Sequence, residues 1–235
     1  MYREYGKWWS ASLGRDMEFL WFGKFGRPVI LFPTSSGRFY ENEDFHLADS
    51  LADKVDNGEI QLILVDTVNN ESWYNRGVHP AVRAARHAQY DAYLRNEMVP
   101  YIFDRAQRGD LVVYGASFGA YHAANFAARY PEVVSRAICF SGVFDIHSFL
   151  DGYWDETCYF HCPTAYVPNM TGEWVAKLSR VSWVIATGEH DTLVQNNRDF
   201  SALLWSKGIG NYLEIWGGVF GHDWPFWREH LRRFV

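Results

Sequence analysis

Gly115-Ala116-Ser117-Phe118-Gly119 lies between a continuous apolar run, Leu111-Val112-Val113-Tyr114, and an alanine-rich segment with helical patterning. A Gly-x-Ser-x-Gly sequence at a strand-to-helix junction puts its serine on a tight, strained turn. The flanking glycines leave room for neighbouring backbone to come close. Such a turn lifts the Ser117 hydroxyl above a sheet, where a base can activate it. The competing reading is a glycine-rich turn with an incidental serine; the strand before and the helix after favour a nucleophile.

The same alternation extends in both directions from this turn. Upstream, Met17 to Phe22, Pro28 to Pro33 and Leu62 to Val65 read as strands, the last two as continuous apolar runs suited to a buried sheet. A short helix is expected around Asp44 to Asp53. A longer one of roughly twenty residues is expected from about Arg83, with Tyr90, Tyr93, Leu94 and Met98 near helical spacing; Pro80 and Pro100 mark disruptions near its ends, or Pro100 is accommodated in a kink. Downstream come a helix over 119–129, a strand over 134–140, a strand at Trp183 to Ala186, a helix at Asn196 to Trp205 and a strand at Tyr212 to Trp216. This order predicts an α/β fold: a mostly parallel central sheet with helices on both faces. No repeat or low-complexity linker divides residues 1–235, so a single domain is expected, with 149–171 as an irregular insertion that serves as a cap, substrate loop or oligomer surface.

Composition narrows the functional classes. A chain of 235 residues with 48% apolar content can build a substantial core. Its net charge is −6 and its pI is near 5.8, and no basic stripe interleaved with aromatics supports nucleic-acid binding. No stretch has the length of a membrane span, and the N-terminus lacks a secretory apolar core, which predicts a cytoplasmic protein. Cys139 reads as a packed small hydrophobe. Cys158, His161 and Cys162 form a local cluster, but no second ligand group has matching spacing, so no metal site is expected.

Serine attacks at neutral pH only when a neighbour accepts its proton. His222, in Gly221-His222-Asp223-Trp224-Pro225, follows the last strand and is the candidate base. Asp191, after the strand that leads into Ala186-Thr187-Gly188-Glu189-His190, is the candidate acid, with Glu189 as the alternative. Asp223 is assigned to loop contacts. The order Ser117, Asp191, His222 is that of an α/β-hydrolase. An oxyanion needs two donors: the backbone N–H of Phe118, and one from the loop after Phe32, assigned to Ser35 with Thr34 and Ser36 as alternatives. Trp73, Tyr74, Trp154, Tyr159, Phe160 and Trp224 are candidate walls for a substrate pocket.

Several stretches together carry a resemblance: Glu71-Ser72-Trp73-Tyr74-Asn75, Leu94 to Pro100, Gly115 to Ala120, Cys139-Phe140-Ser141-Gly142 and His222 to Trp227. Across nearly its whole length the chain resembles the putative-esterase family of α/β-hydrolases, which includes esterase D, feruloyl esterases and the antigen 85 mycolyltransferases. The resemblance implies Ser117 as nucleophile, His222 as base, Asp191 as acid, and backbone near Ser35 in the oxyanion hole. The early Phe32-Pro33-Thr34-Ser35-Ser36-Gly37 segment departs from the His-Gly or Asp-Gly opening common among relatives. The expected activity is hydrolysis of a small-molecule carboxylic ester through an acyl-enzyme, chemistry that requires no cofactor. The alternatives are acyl transfer to an alcohol and a catalytically silent binding protein. A homo-oligomer is compatible with the aromatic content.

Overall fold

The structure, a computed structural model, describes residues 1–235. Eight strands form one sheet in the order β1-β2-β4-β3-β5-β6-β7-β8. They are β1 (Arg3–Ser10), β2 (Arg15–Phe22), β3 (Arg27–Phe32), β4 (Ile60–Val65), β5 (Leu111–Ala116), β6 (Val134–Phe140), β7 (Ser182–Gly188) and β8 (Asn211–Trp216). The six strands β3 to β8 run parallel, while β1 and β2 form an antiparallel hairpin joined antiparallel to β4.

Alternation along the central strands supplies both cores. Ile30 and Phe32 of β3 face one layer, with Val113 and Cys139; Val29 and Leu31 face the other, with Val112, Tyr114 and Phe140. The first layer is covered by the helices Pro80–Tyr93, Val99–Ala106, Phe118–Arg129 and Val194–Ser206; the second is covered by Leu47, Leu51 and Val55 and by the C-terminal helix Trp224–Leu231. Burial on both faces is why these strands read as unbroken apolar runs.

The N-terminal strand and the start of the long helix depart from the sequence reading. β1 escapes notice in the sequence because its inward positions are Glu4, Gly6, Trp8 and Ser10, only one of them a large apolar side chain. The long helix begins at Pro80, not Arg83: proline occupies its first turn and His79 Nδ1 accepts from the Ala81 N–H at 3.2 Å. It continues past Pro100, which is accommodated with one residue, Val99, between it and a π-helical turn at Leu94–Met98.

The 149–171 insertion is also more regular than its composition suggests, with short helices at Glu156–Phe160 and Pro163–Tyr166. It resembles a cap. Arg83 fastens its start, donating to the Phe149 carbonyl at 2.8 Å and to Asp151 at 2.7 Å, while Arg76 donates to the other Asp151 oxygen at 2.9 Å. No helix is long and apolar enough to cross a membrane.

Candidate active site

Because β3, β5, β6, β7 and β8 are parallel neighbours, the loops that follow them share one edge of the sheet. Those loops begin with Pro33, Ser117, Ser141, Glu189 and Gly217. Ligand sites of open parallel sheets form at this carboxyl edge.

Ser117 has φ 55° and ψ −121°, a backbone conformation that side chains other than glycine rarely adopt and that stores about 1–3 kcal/mol. The packing around the turn enforces it. A Cβ on Gly115 would lie 2.0 Å from the Gly119 carbonyl oxygen, and one on Gly119 would lie 2.7 Å from that of Pro33. The Ser117 N–H donates to the Phe140 carbonyl at 2.9 Å, pinning the corner to β6. The helix Phe118–Arg129 starts immediately afterwards, and Ser117 makes no side-chain cap. The Phe118 N–H thus belongs to the unsatisfied first turn of a helix, where the macrodipole favours negative charge.

His222 and Asp191 meet. His222 Nδ1 lies 3.0 and 3.1 Å from the two Asp191 carboxylate oxygens, leaving Nε2 uncommitted. Asp191 is buried and also accepts from the Thr187 hydroxyl and the Leu193 N–H, both at 2.8 Å. Burial pushes its carboxyl up, but the hydrogen bonds from His222, Leu193 and Thr187 outweigh burial and leave it below the ordinary value. Glu189 is turned away and accepts from the Gly218 N–H at 2.8 Å. Asp223 caps the C-terminal helix through the Trp224 N–H at 2.7 Å.

Two contacts tie the His222 loop to the ends of β7 and β6. Gly221 packs on Gly188 so closely that a Cβ on Gly221 would fall 2.6 Å from the Gly188 Cα. Ser141, next in chain to the Phe140 that holds Ser117, donates its hydroxyl to the Gly221 carbonyl at 3.0 Å. Ser141 lies in the Cys139-Phe140-Ser141-Gly142 stretch that carries part of the resemblance, but no role follows for it from the sequence.

In the loop after β3, Thr34 is already committed: its N–H and hydroxyl donate to the two Glu41 carboxylate oxygens at 2.7 and 2.8 Å. The Thr34 N–H and hydroxyl are thus both engaged within the protein. The N–H groups of Ser35 and Ser36 make no hydrogen bond within the protein. Tyr74 donates its hydroxyl to Ser35 Oγ at 2.7 Å, and its ring lies edge-on to Phe118 with centroids 5.0 Å apart.

The aromatic candidates separate. Tyr74 and Phe149 flank Phe118, and on the His222 side Trp224 stacks on Phe45 at 4.6 Å and 2°. Trp154 is exposed and stacks on His147 at 4.3 Å. Trp73 is a correction: it is fully buried beneath the nucleophile helix, donating its indole N–H to the Tyr121 hydroxyl at 3.2 Å. Tyr159 and Phe160 line a cavity of about 460 Å³ with Arg129 and Trp174. Arg129 ends the helix that begins beside Ser117, roughly 18 Å along its axis, so that cavity is separate from the reaction edge.

His161, adjacent to Cys162 in sequence, is buried against His87 with ring centroids 4.7 Å apart. Asp145, His147 and Cys162 bring donor atoms within 4.8 Å of one another. Their bonds to each other and to Thr164 account for that grouping: His147 Nδ1 to Asp145 at 2.7 Å, the Thr164 hydroxyl to Asp145 at 3.0 Å and Cys162 Sγ to Thr164 at 3.2 Å.

The chain has the fold of several solved esterases. It matches a ferulic acid esterase with TM-score 0.78 and 18% identity, over 100% of this chain and 96% of that one. An S-formylglutathione hydrolase from Staphylococcus aureus aligns with TM-score 0.72 and 16% identity, over 99% and 97%. A ferulic acid esterase from Anaeromyces mucronatus aligns with TM-score 0.72 and 14% identity, over 100% and 89%. No curated protein matches at the sequence level. The family model described as "Putative esterase" matches residues 10–234, and the chain belongs to that esterase family.

Proposed function

We propose that the protein is a serine carboxylic-ester hydrolase in which Ser117 is the nucleophile, His222 the general base and Asp191 its orienting acid. One observation carries the reading. The His222–Asp191 pair is tied through Gly221 and Ser141 to the segment whose Phe140 carbonyl holds the strained Ser117 turn. Asp191 binds Nδ1 and so keeps a proton there, leaving Nε2 as the acceptor for the Ser117 proton.

The reaction follows from these roles. Ser117 Oγ attacks the ester carbonyl as His222 Nε2 takes its proton. The Phe118 N–H and a donor from the Ser35 backbone stabilise the tetrahedral oxyanion, each worth about 2.7–4 kcal/mol. The imidazolium then protonates the departing alcohol, and the acyl group stays on Ser117. Water, deprotonated by the same imidazole, releases the acid and restores the serine.

Tyr74 and Phe149 on one side, and Trp224 with Phe45 on the other, support a small ester with apolar or aromatic character as substrate. Three free, buried cysteines fit a reducing compartment such as the cytoplasm. Intact-mass labelling with a fluorophosphonate tests the reading. One adduct per chain is expected, lost in Ser117→Ala and strongly slowed in His222→Ala. No Ser117-dependent adduct together with no turnover on a broad ester panel would overturn it in favour of a binding role.

A further inference from the structure

Glu41 stands outside the triad, yet its carboxylate makes the best-defined contact on the oxyanion loop. One oxygen accepts the Thr34 N–H at 2.7 Å and the other accepts the Thr34 hydroxyl at 2.8 Å. The same group fills the space beside Gly37, where a Cβ would lie 2.3 Å from Oε2. The Gly37 N–H closes the turn back onto the Thr34 carbonyl at 3.2 Å, with Ser36 at φ 58° inside it. Asn42, next in the chain, donates to the Phe32 carbonyl at 3.3 Å. The segment Glu41–Asn42 thus grips the loop just before and at its start, and the N–H groups of Ser35 and Ser36 are the ones left without an acceptor.

Resting on the esterase reading above, we propose that Glu41 is a positioning residue for the oxyanion hole. By accepting both Thr34 donors it fixes the 34–37 turn so that the next N–H, on Ser35, is presented to the developing oxyanion. It also removes the Thr34 N–H from competition, so the hole has a single geometry on this side. This arrangement takes the place of the His-Gly or Asp-Gly opening that the segment lacks: a carboxylate supplied seven residues later shapes a loop with no glycine at positions 34 to 36. A preorganised donor contributes to the transition state and little to ground-state binding, so the signature is in kcat and not in KM.

The test uses the full chain with p-nitrophenyl acetate and butyrate, and thermal melting as the folding control. Glu41→Ala is expected to lower kcat about 10- to 100-fold with KM within about threefold of the parent. Glu41→Gln, whose amide oxygen still accepts the Thr34 N–H, is expected to recover most of that loss. Gly37→Ala, an independent variant whose methyl displaces the Glu41 carboxylate, is expected to reproduce the kcat defect and decides the matter where Glu41→Ala does not fold. A folded Glu41→Ala or Gly37→Ala enzyme with kcat within about twofold of the parent, or a defect confined to KM, overturns the proposal. Ser117→Ala separates the two claims. If it abolishes turnover while the Glu41 variants are silent, only the positioning role fails; if it retains turnover, the esterase reading itself fails.

Discussion

Tyr74 links Ser35 and Phe118, the two residues proposed to supply the oxyanion donors: its hydroxyl donates to Ser35 Oγ at 2.7 Å while its ring packs edge-on against Phe118 at 5.0 Å. Removing only the hydroxyl separates these contributions. Tyr74→Phe keeps the ring contact and loses one hydrogen bond worth about 1 kcal/mol, so kcat/KM is expected to fall about fivefold. Tyr74→Ala should fall further because Phe118 loses its neighbour. Steady-state kinetics on one ester would check both, and equal activity in Tyr74→Phe and the parent would leave the hydroxyl without a role.

The acid of the triad is decided by contact with His222. Asp191→Asn preserves shape but disturbs the imidazole tautomer, and is expected to reduce kcat by about 10⁴. Glu189→Gln, on an exposed carboxylate that meets only the Gly218 N–H, is expected to stay within about threefold of the parent. The reverse ranking of these two variants would reassign the acid.

Gly119 separates the nucleophile helix from the end of β3. A methyl there meets the Pro33 and Phe32 carbonyl oxygens at 2.7 and 3.0 Å, and backbone cannot swing aside as a side-chain tip can. Gly119→Ala should therefore destabilise the fold by about 1–3 kcal/mol and also displace the loop carrying Ser35. Urea unfolding would register the first effect and kcat the second. An unchanged midpoint would mean that the strand and helix can separate at this point without penalty.

Acid should weaken the protein through buried histidines on and beneath the helix Phe118–Arg129. His87, His122 and His161 are all buried; burial lowers His122 and His161 to about 3, and His87 well below its ordinary value. The Tyr121 hydroxyl has one proton, which it donates to the His161 carbonyl at 2.8 Å, so His87 Nε2 must donate to it and His87 Nδ1 is left bare. Each folded pKa lies below the unfolded value near 6.5, so the unfolded chain takes up protons that the native chain refuses. Stability is full above about pH 6.5 and falls below it, by about 1.4 kcal/mol per pH unit for each histidine until the folded pKa is reached. Melting temperatures between pH 7.5 and 5 would measure this, and a flat profile across that range would contradict it.

Much of this protein was written in local sequence. Continuous apolar runs marked β3, β4, β5 and β7; the Gly115–Gly119 turn marked the nucleophile candidate; and the succession of strands and helices fixed the sheet class, because periodicity and backbone sterics act over a few residues. Strand order then determined that Ser117, Asp191 and His222 must emerge at one edge. What needed the tertiary structure was every choice between near neighbours. Asp191 and Glu189 are two residues apart, and only the path of the Gly217–His222 loop decides which one meets the imidazole. Thr34 and Ser35 are adjacent hydroxyl residues, separated only by the arrival of Glu41 from the next helix. Trp73 and Tyr74 are adjacent aromatics, one sunk under a helix and one at the site, because burial depends on which distant segment covers a side chain. Such long-range contacts leave no periodic trace in sequence, since the residues that make them come from unrelated stretches of chain.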